Sequence, residues 1–168
     1  IAHNGNLTNA AALRKELIER GSIFQSSSDS ECIIHLMARS IQTNISERIK
    51  DALRRVEGAF SVVAMTRTKL IGVRDPLGVR PLVLGRLSDN AWALASETCA
   101  LDIIGAEFIR EIEPGEMVVI EDGKVNSTRP FGPEKSRFCI FEHVYFSRPD
   151  SILGGRSVYE TRHAIGVE

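Results

Sequence analysis

The sequence predicts an α+β fold on three observations. Apolar residues recur at helical spacing up to about residue 56, short β-type runs punctuated by turn residues follow from Ala59 onward, and an Asp122-Gly123 hairpin signal joins two of those runs. Helices and strands are segregated along the chain, the pattern of a layered α+β domain rather than of alternating βαβ units.

Taken in order, Asn4-Gly5 reads as a turn, because both residues tolerate positive φ. Thr8 or Asn9 then caps a helix over residues 10–20, with Leu13, Leu17 and Ile18 on one face and Gly21 as its stop. Ser28-x-x-Glu31 has the form of a capping box ahead of Ile33, Ile34, Met37 and Ile41, which predicts a second helix over 30–43. Ile49, Leu53 and Val56 mark a third over 46–56. Strands follow at 60–66, 70–73, 82–85 and 91–95, read as an antiparallel meander, with turns at Pro76, Gly78, Pro81 and Ser88-Asp89-Asn90. A short helix at 98–104 precedes strands at 108–112, 117–121 and 124–128. Residues 129–139 read as a link and 138–146 as β-like, ended by Pro149.

The chain has 168 residues, 43% hydrophobic and 26% charged, with net charge −1. That composition can build a core and is that of an ordinary soluble globular chain rather than a disordered one. Its 21 basic residues are scattered, which gives no electrostatic footprint for nucleic acid. The longest apolar runs, such as 117–120, fall far short of the roughly 20 residues a membrane helix needs. Cytoplasmic placement is the default expectation. Cys32, Cys99 and Cys139 show neither a C-x-x-C pair nor zinc spacing, as suits a reducing compartment.

Two short motifs carry chemistry. Gly5 allows close approach to the backbone, so its N–H and the Asn4 carboxamide can both face a developing oxyanion. Asp29 either complements the dipole of the second helix or accepts hydrogen bonds from a substrate α-ammonium group. His3 and the Arg74-Asp75 pair read as scaffold, with an ion pair between the latter two. The apolar run 117–120 ending in Glu121 and Asp122 is superficially like a pyrophosphate-sugar signature, but it continues into a hairpin rather than a phosphate-cradling loop.

Five stretches, in one order over residues 1–151, resemble the amidophosphoribosyltransferase family. They are Ile1-Ala2-His3-Asn4-Gly5-Asn6-Leu7-Thr8-Asn9, Ser28-Asp29-Ser30-Glu31, Val56-Glu57-Gly58-Ala59-Phe60-Ser61, the run from Arg74 to Leu82, and the run from Phe141 to Ser151. The resemblance implies an αββα sandwich of the N-terminal nucleophile hydrolase type (class II glutamine amidotransferase), here lacking the strands that would precede Ile1. It assigns Asn4 and Gly5 to the oxyanion hole and Asp29 to the glutamine α-amino group. It places a partial glutaminase domain at 1–139, and the junction and start of a phosphoribosyltransferase domain at 140–168.

The implied activity is hydrolysis of glutamine and transfer of the ammonia to phosphoribosyl pyrophosphate, giving 5-phosphoribosylamine in the first step of de novo purine synthesis. Partners are glutamine, phosphoribosyl pyrophosphate and further copies in a homo-oligomer. The cofactor is Mg2+, bound with phosphoribosyl pyrophosphate. In the iron–sulfur subclass Cys139 is one ligand of a 4Fe–4S cluster, which takes about four thiolates; the alternative is an ordinary packed thiol. The family's N-terminal cysteine nucleophile is not among these residues. Its loss removes roughly 10⁶ in rate in a hydrolase of known mechanism, so the 168 residues alone are expected to be inactive. The competing readings are a glutaminase domain of a sibling such as glucosamine phosphate synthase or asparagine synthetase, and a non-catalytic module that senses an amino acid.

Overall fold

The computed structural model describes residues 1–132 and 134–168. Its first element corrects the sequence reading. Asn4-Gly5 lies not in a turn but inside strand β1 (Ala2–Leu7), antiparallel to β2 (Gly58–Met65) with Gly5 opposite Phe60. Glycine is needed there for close approach: at φ +154° a Cβ on Gly5 would sit 2.0 Å from the Ala59 carbonyl oxygen. The partner strand thus overrides the local turn preference.

Three helices follow: α1 (Ala10–Glu19), α2 (Ser30–Arg39) and α3 (Ile45–Leu53). Asn9 precedes α1 but does not cap it; its side chain donates to the Arg55 carbonyl (2.9 Å) and accepts from Glu57 N (3.0 Å). The expected capping box of α2 does not form. Glu31 turns back further, accepting from Gln25 N (2.8 Å), Ser26 N (2.9 Å) and Ser26 Oγ (2.7 Å), and these donors hold its carboxyl down at about 2. α2 stops at Arg39, short of the expected 43, where Ser40 turns extended and donates to Asp51 of α3 (2.7 Å).

The remaining sheet elements are β3 (Lys69–Arg74), β4 (Val83–Arg86), β5 (Trp92–Ala95), β6 (Glu107–Glu111), β7 (Met117–Glu121) and β8 (Lys124–Thr128), with α4 (Thr98–Ile103) between β5 and β6. They do not form one meander. One sheet runs β1-β2-β3-β7-β8 and a second β5-β4-β6, antiparallel throughout. The loop after β3, with Pro76, Gly78 and Pro81, carries the chain to the second sheet, and β7 brings it back.

Alternation along the strands sorts their side chains into three apolar layers. Leu7, Phe60, Val62, Ile71, Val73 and Met117 pack under α1–α3. Val63, Leu84, Val118 and Ile120 meet between the sheets, and Val83 and Ala95 pack on Leu101 of α4. The result is helices, sheet, sheet, helix: the αββα order expected.

The β7–β8 turn matches its expectation, with Asp122 at φ +50° and Gly123 at φ +72°. Residues 138–146 do not form the expected strand. Arg137 N and Cys139 N bond to the carbonyls of Leu77 (2.7 Å) and Val79 (3.1 Å), and a single π-helical turn then spans Glu142–Phe146. The Glu142 carboxylate fixes that turn by accepting from Arg80 (2.6 Å) and Ser147 Oγ (2.7 Å), so a polar anchor overrides the aromatic β preference. The segment read as a link is therefore bonded to the 77–79 loop; Pro133, counted in it, lies outside the described residues. The chain continues into β9 (Ile152–Leu153), β10 (Arg156–Ser157) and α5 (Val158–Val167), the last capped by Ser157 Oγ on Glu160 N (3.3 Å).

Arg74 and Asp75 do not pair as expected. Arg74 donates to the carbonyls of Arg80 (2.8 Å), Ile112 (2.7 Å) and Gly78 (3.0 Å), with Glu111 3.7 Å away. Among the described residues, the Asp75 carboxylate accepts from backbone N–H groups alone, those of Phe60, Leu77 and Val79.

Glu116, 3% exposed, ties the far end of the first sheet together. Its carboxylate accepts from Arg110 (2.6 and 2.8 Å), Glu113 N (2.7 Å) and Ser127 Oγ (2.5 Å). Burial alone pushes this carboxyl up, but the donors outweigh it and hold it at about 2, below the ordinary 4.5. A depressed folded pKa gives stability that is full above 4.5 and lost as pH falls toward 2. Glu116→Ala is expected to destabilise the fold by about 1–3 kcal/mol at pH 7, since the Arg110 it leaves unpaired is 38% exposed and reaches water. In thermal scans its loss of melting temperature between pH 5 and pH 2 should be shallower than in the wild type.

Candidate functional site

The site is built around the open edge of β1. Phe60, opposite Gly5, has both its backbone groups engaged on the other side: Asp75 N donates to its carbonyl (2.8 Å) and its N–H donates to Asp75 Oδ2 (3.3 Å). Gly5 and Phe60 are therefore a non-hydrogen-bonded pair, and alternation turns the backbone groups of His3, Gly5 and Leu7 away from β2 toward the free edge. The bond made by Leu7 agrees: its N–H donates to Asp29 Oδ2 at 3.0 Å. The Gly5 N–H points the same way, two residues earlier along the strand, about 7 Å from that of Leu7.

The side chains of β1 divide between its faces. His3 faces the helices, 2% exposed, with Nδ1 3.1 Å from Ser30 Oγ and 3.5 Å from Asp29 Oδ1. It acts as the scaffold residue expected, pinning the strand to the start of α2. Asn4 faces the space between the sheets, and its Nδ2 donates to Ser96 Oγ at 3.2 Å. Asp29, a quarter exposed, comes over the strand edge from the helical side. A cavity of about 330 Å3 opens beside it, lined in part by Ala10, Arg14, Ser27, Ser28 and Cys32; Asn4 and Gly5 are not among its walls.

The structure thus brings the three residues singled out in the sequence to one strand edge. The outward N–H of Gly5 and the carboxamide of Asn4 belong to adjacent residues of β1, and the Asp29 carboxylate binds the same strand two residues along, at Leu7. Two N–H donors can stabilise an oxyanion, and a carboxylate can hold an ammonium group.

The sequence model described as a glutamine amidotransferase domain matches residues 1–102. The chain belongs to that family. Over 99% of its length it is 53% identical to an amidophosphoribosyltransferase of Rhizobium etli, of which it covers 34%. A solved structure of glutamine phosphoribosylpyrophosphate amidotransferase from B. subtilis, complexed with ADP and GMP, superposes with a TM-score of 0.90 at 46% identity, over 94% of this chain and 34% of that one. A glutamine aminotransferase class-II domain protein from Silicibacter pomeroyi has a TM-score of 0.57 at 18% identity, covering 79% of this chain and 65% of that one, a likeness of fold alone. The chain spans about a third of the length of the curated relatives it matches. These findings agree with the class II glutamine amidotransferase fold inferred above.

The thiols of this amidotransferase chain lie away from the β1 edge or under cover. Cys32 is buried beneath α1, its Sγ 3.7 Å from the Ala10 carbonyl, and burial pushes its pKa up, the reverse of an activated nucleophile. Cys99 is buried in α4, and Cys139 is half-buried beside the 77–79 loop. Among the described residues no group of three or more His, Cys, Asp or Glu could hold a metal ion. Cys139 is a single thiol and does not by itself fit a cluster that takes about four thiolates. Among the described residues no helix is long and apolar enough to cross a membrane.

Sequence reasoning missed Ser96. It lies 92 residues from Asn4, and only the short Ser96-Glu97-Thr98 polar run ahead of α4 marks it.

Proposed function

We propose that this chain is the glutamine-hydrolysing part of an amidophosphoribosyltransferase. The protein containing it releases ammonia from glutamine and transfers it to phosphoribosyl pyrophosphate, displacing pyrophosphate and giving 5-phosphoribosylamine, the first step of de novo purine synthesis. The 53% identity to the Rhizobium etli enzyme supports the transferase assignment. The observation that carries the glutaminase reading is the outward Gly5 N–H beside Asn4, with Asp29 two residues along the same edge.

In this reading Asp29 accepts from the glutamine α-ammonium group, using carboxylate lone pairs that Leu7 N does not occupy. The side-chain carbonyl oxygen points at Gly5 N–H and Asn4 Nδ2, which strengthen their hydrogen bonds as it becomes an oxyanion. The attacking thiolate is a cysteine supplied from outside these residues. Residues 1–139 form the glutaminase domain. Residues 140–168 form the junction and the beginning of the transferase domain, as supported by the last strand of the first sheet ending at Thr128 and by β9 and β10 pairing in a sheet of their own. Mg2+ bound with phosphoribosyl pyrophosphate, cytoplasmic placement and homo-oligomeric assembly belong to the same proposal.

Expressed from its complete gene, the protein is expected to form glutamate and pyrophosphate in equal amounts from glutamine and phosphoribosyl pyrophosphate, while the 168 residues alone release no glutamate above background. Asp29→Ala should raise the KM for glutamine by about 10- to 100-fold, the loss of a charge-assisted bond, and spare activity with external ammonia. Equal loss with both nitrogen sources contradicts the role of Asp29. A complete protein that binds glutamine without ever releasing glutamate is a sensor and not this enzyme.

A further inference from the structure

Three consecutive residues, Ser96, Glu97 and Thr98, bond both to Asn4 of β1 and to the 148–152 turn. Ser96 Oγ accepts from Asn4 Nδ2 at 3.2 Å. The next residue, Glu97, turns the other way: its Oε2 accepts from Arg148 N (2.8 Å) and Ser151 Oγ (2.7 Å). Thr98 Oγ1 accepts from Ile152 N at 2.9 Å. The strap runs from the end of β5 to the start of α4, so each of its ends is anchored in regular structure.

The two contacts have different chemical consequences. A carboxamide carries two N–H donors on one nitrogen. If Ser96 takes one of them, the rotation of the Asn4 side chain is set and the second donor has a defined direction. Without Ser96 the side chain is freer to turn, since Ser96 is its hydrogen-bond partner among the described residues, and Ser61, opposite it on β2, turns its own hydroxyl hydrogen to the Arg80 carbonyl (3.1 Å). Oxyanion stabilisation requires donors placed before the charge develops, so the aim of this group is as important as its presence. Glu97 and Thr98 hold the strap from behind by binding the backbone of the 148–152 turn.

We propose that Ser96 is a positioning residue that aims the Asn4 carboxamide, and that the 148–152 turn holds Ser96 in place through Glu97 and Thr98. Movement of that turn is then transmitted to the oxyanion donor along three residues of chain. The proposal rests on the glutaminase reading for its kinetic consequence, but its geometric content stands by itself.

The test uses the complete gene product. Ser96→Ala is expected to lower kcat for glutamine hydrolysis by about 10- to 100-fold through misplacement of a donor, with KM for glutamine and ammonia-dependent activity unchanged; Ser96→Thr, which keeps the hydroxyl, restores most of it. Glu97→Ala is expected to lower kcat in the same manner, and the double variant to lose no more than Ser96→Ala alone, because both act through one contact. Losses that multiply in the double variant overturn the link to the 148–152 turn. Unchanged kcat in Ser96→Ala, or a fall shared by KM and ammonia-dependent activity, overturns the positioning role. A crystal structure of Ser96→Ala supplies a readout independent of activity: the Asn4 carboxamide is expected to rotate, and an unmoved carboxamide overturns the proposal even if the wild type hydrolyses no glutamine, a result that would sink the glutaminase reading separately.

Discussion

Asn4→Ala in the complete gene product is expected to lower kcat for glutamine hydrolysis by about 10²- to 10³-fold, the effect of removing one oxyanion donor, and to leave KM for glutamine near the wild-type value. The split follows from where Asn4 sits. Its carboxamide faces the space between the sheets, beside the outward Gly5 N–H and apart from the Asp29 carboxylate that holds the other end of the substrate. A donor aimed at the oxygen that gains charge binds the transition state more strongly than the ground state, so its loss appears in turnover. Ammonia-dependent synthesis should be untouched. A change confined to KM places Asn4 in ground-state binding and removes it from the oxyanion hole. Gly5 cannot be probed as cleanly: any side chain there runs into the Ala59 carbonyl, so Gly5→Ala reports on strand pairing before it reports on catalysis.

The elements legible in the sequence are those whose signal is local. The β7–Asp122-Gly123–β8 hairpin is specified by its own turn residues, and α1 by its spacing and Gly21, so both match within a residue or so. Elements set by distant partners were not legible. β1 looks like a turn because Asn4-Gly5 has strong turn preference, yet it is a strand because β2 lies against it. The run at 142–146 looks like a strand because it is aromatic and β-branched, yet Arg80, 62 residues earlier, draws Glu142 into a π-helical turn. The same distinction divides the site. Asn4, Gly5 and Asp29 stand in recognisable motifs, whereas the contact that aims Asn4 comes from the second sheet, and no periodicity near residue 4 could announce it. Glu31 is instructive in the opposite sense: the capping-box spacing is real, but Gln25 and Ser26 offer its carboxylate three donors, more than the single backbone N–H of a capping box.

Asp75→Ala should have the largest effect on the fold. Asp75 is fully buried, and its carboxylate accepts from Phe60 N (3.3 Å), Leu77 N (2.9 Å) and Val79 N (3.1 Å). Burial pushes its pKa up while those three donors oppose the shift. Alanine leaves the buried Phe60 N–H without an acceptor, at about 1–3 kcal/mol, and frees the half-buried N–H groups of Leu77 and Val79 at a smaller cost each, against a total stability on the order of 5–15 kcal/mol. The loop that collapses is the one that orients Arg80 toward Glu142 and lets Arg74 bind the carbonyls of Gly78, Arg80 and Ile112, so both the crossing between the sheets and the anchoring of the 142–146 turn go with it. Asp75→Ala is therefore expected to yield little soluble protein and to lose glutamine- and ammonia-dependent activity together, whereas Asn4→Ala loses only the first. Asp75→Asn, which keeps one acceptor but turns an NH2 group toward N–H donors, should fall between them in melting temperature. A folded Asp75→Ala protein that melts like the wild type would mean that water replaces the carboxylate inside the loop, and that the bonds from Arg74, Arg137 N and Cys139 N suffice to hold the 75–80 segment.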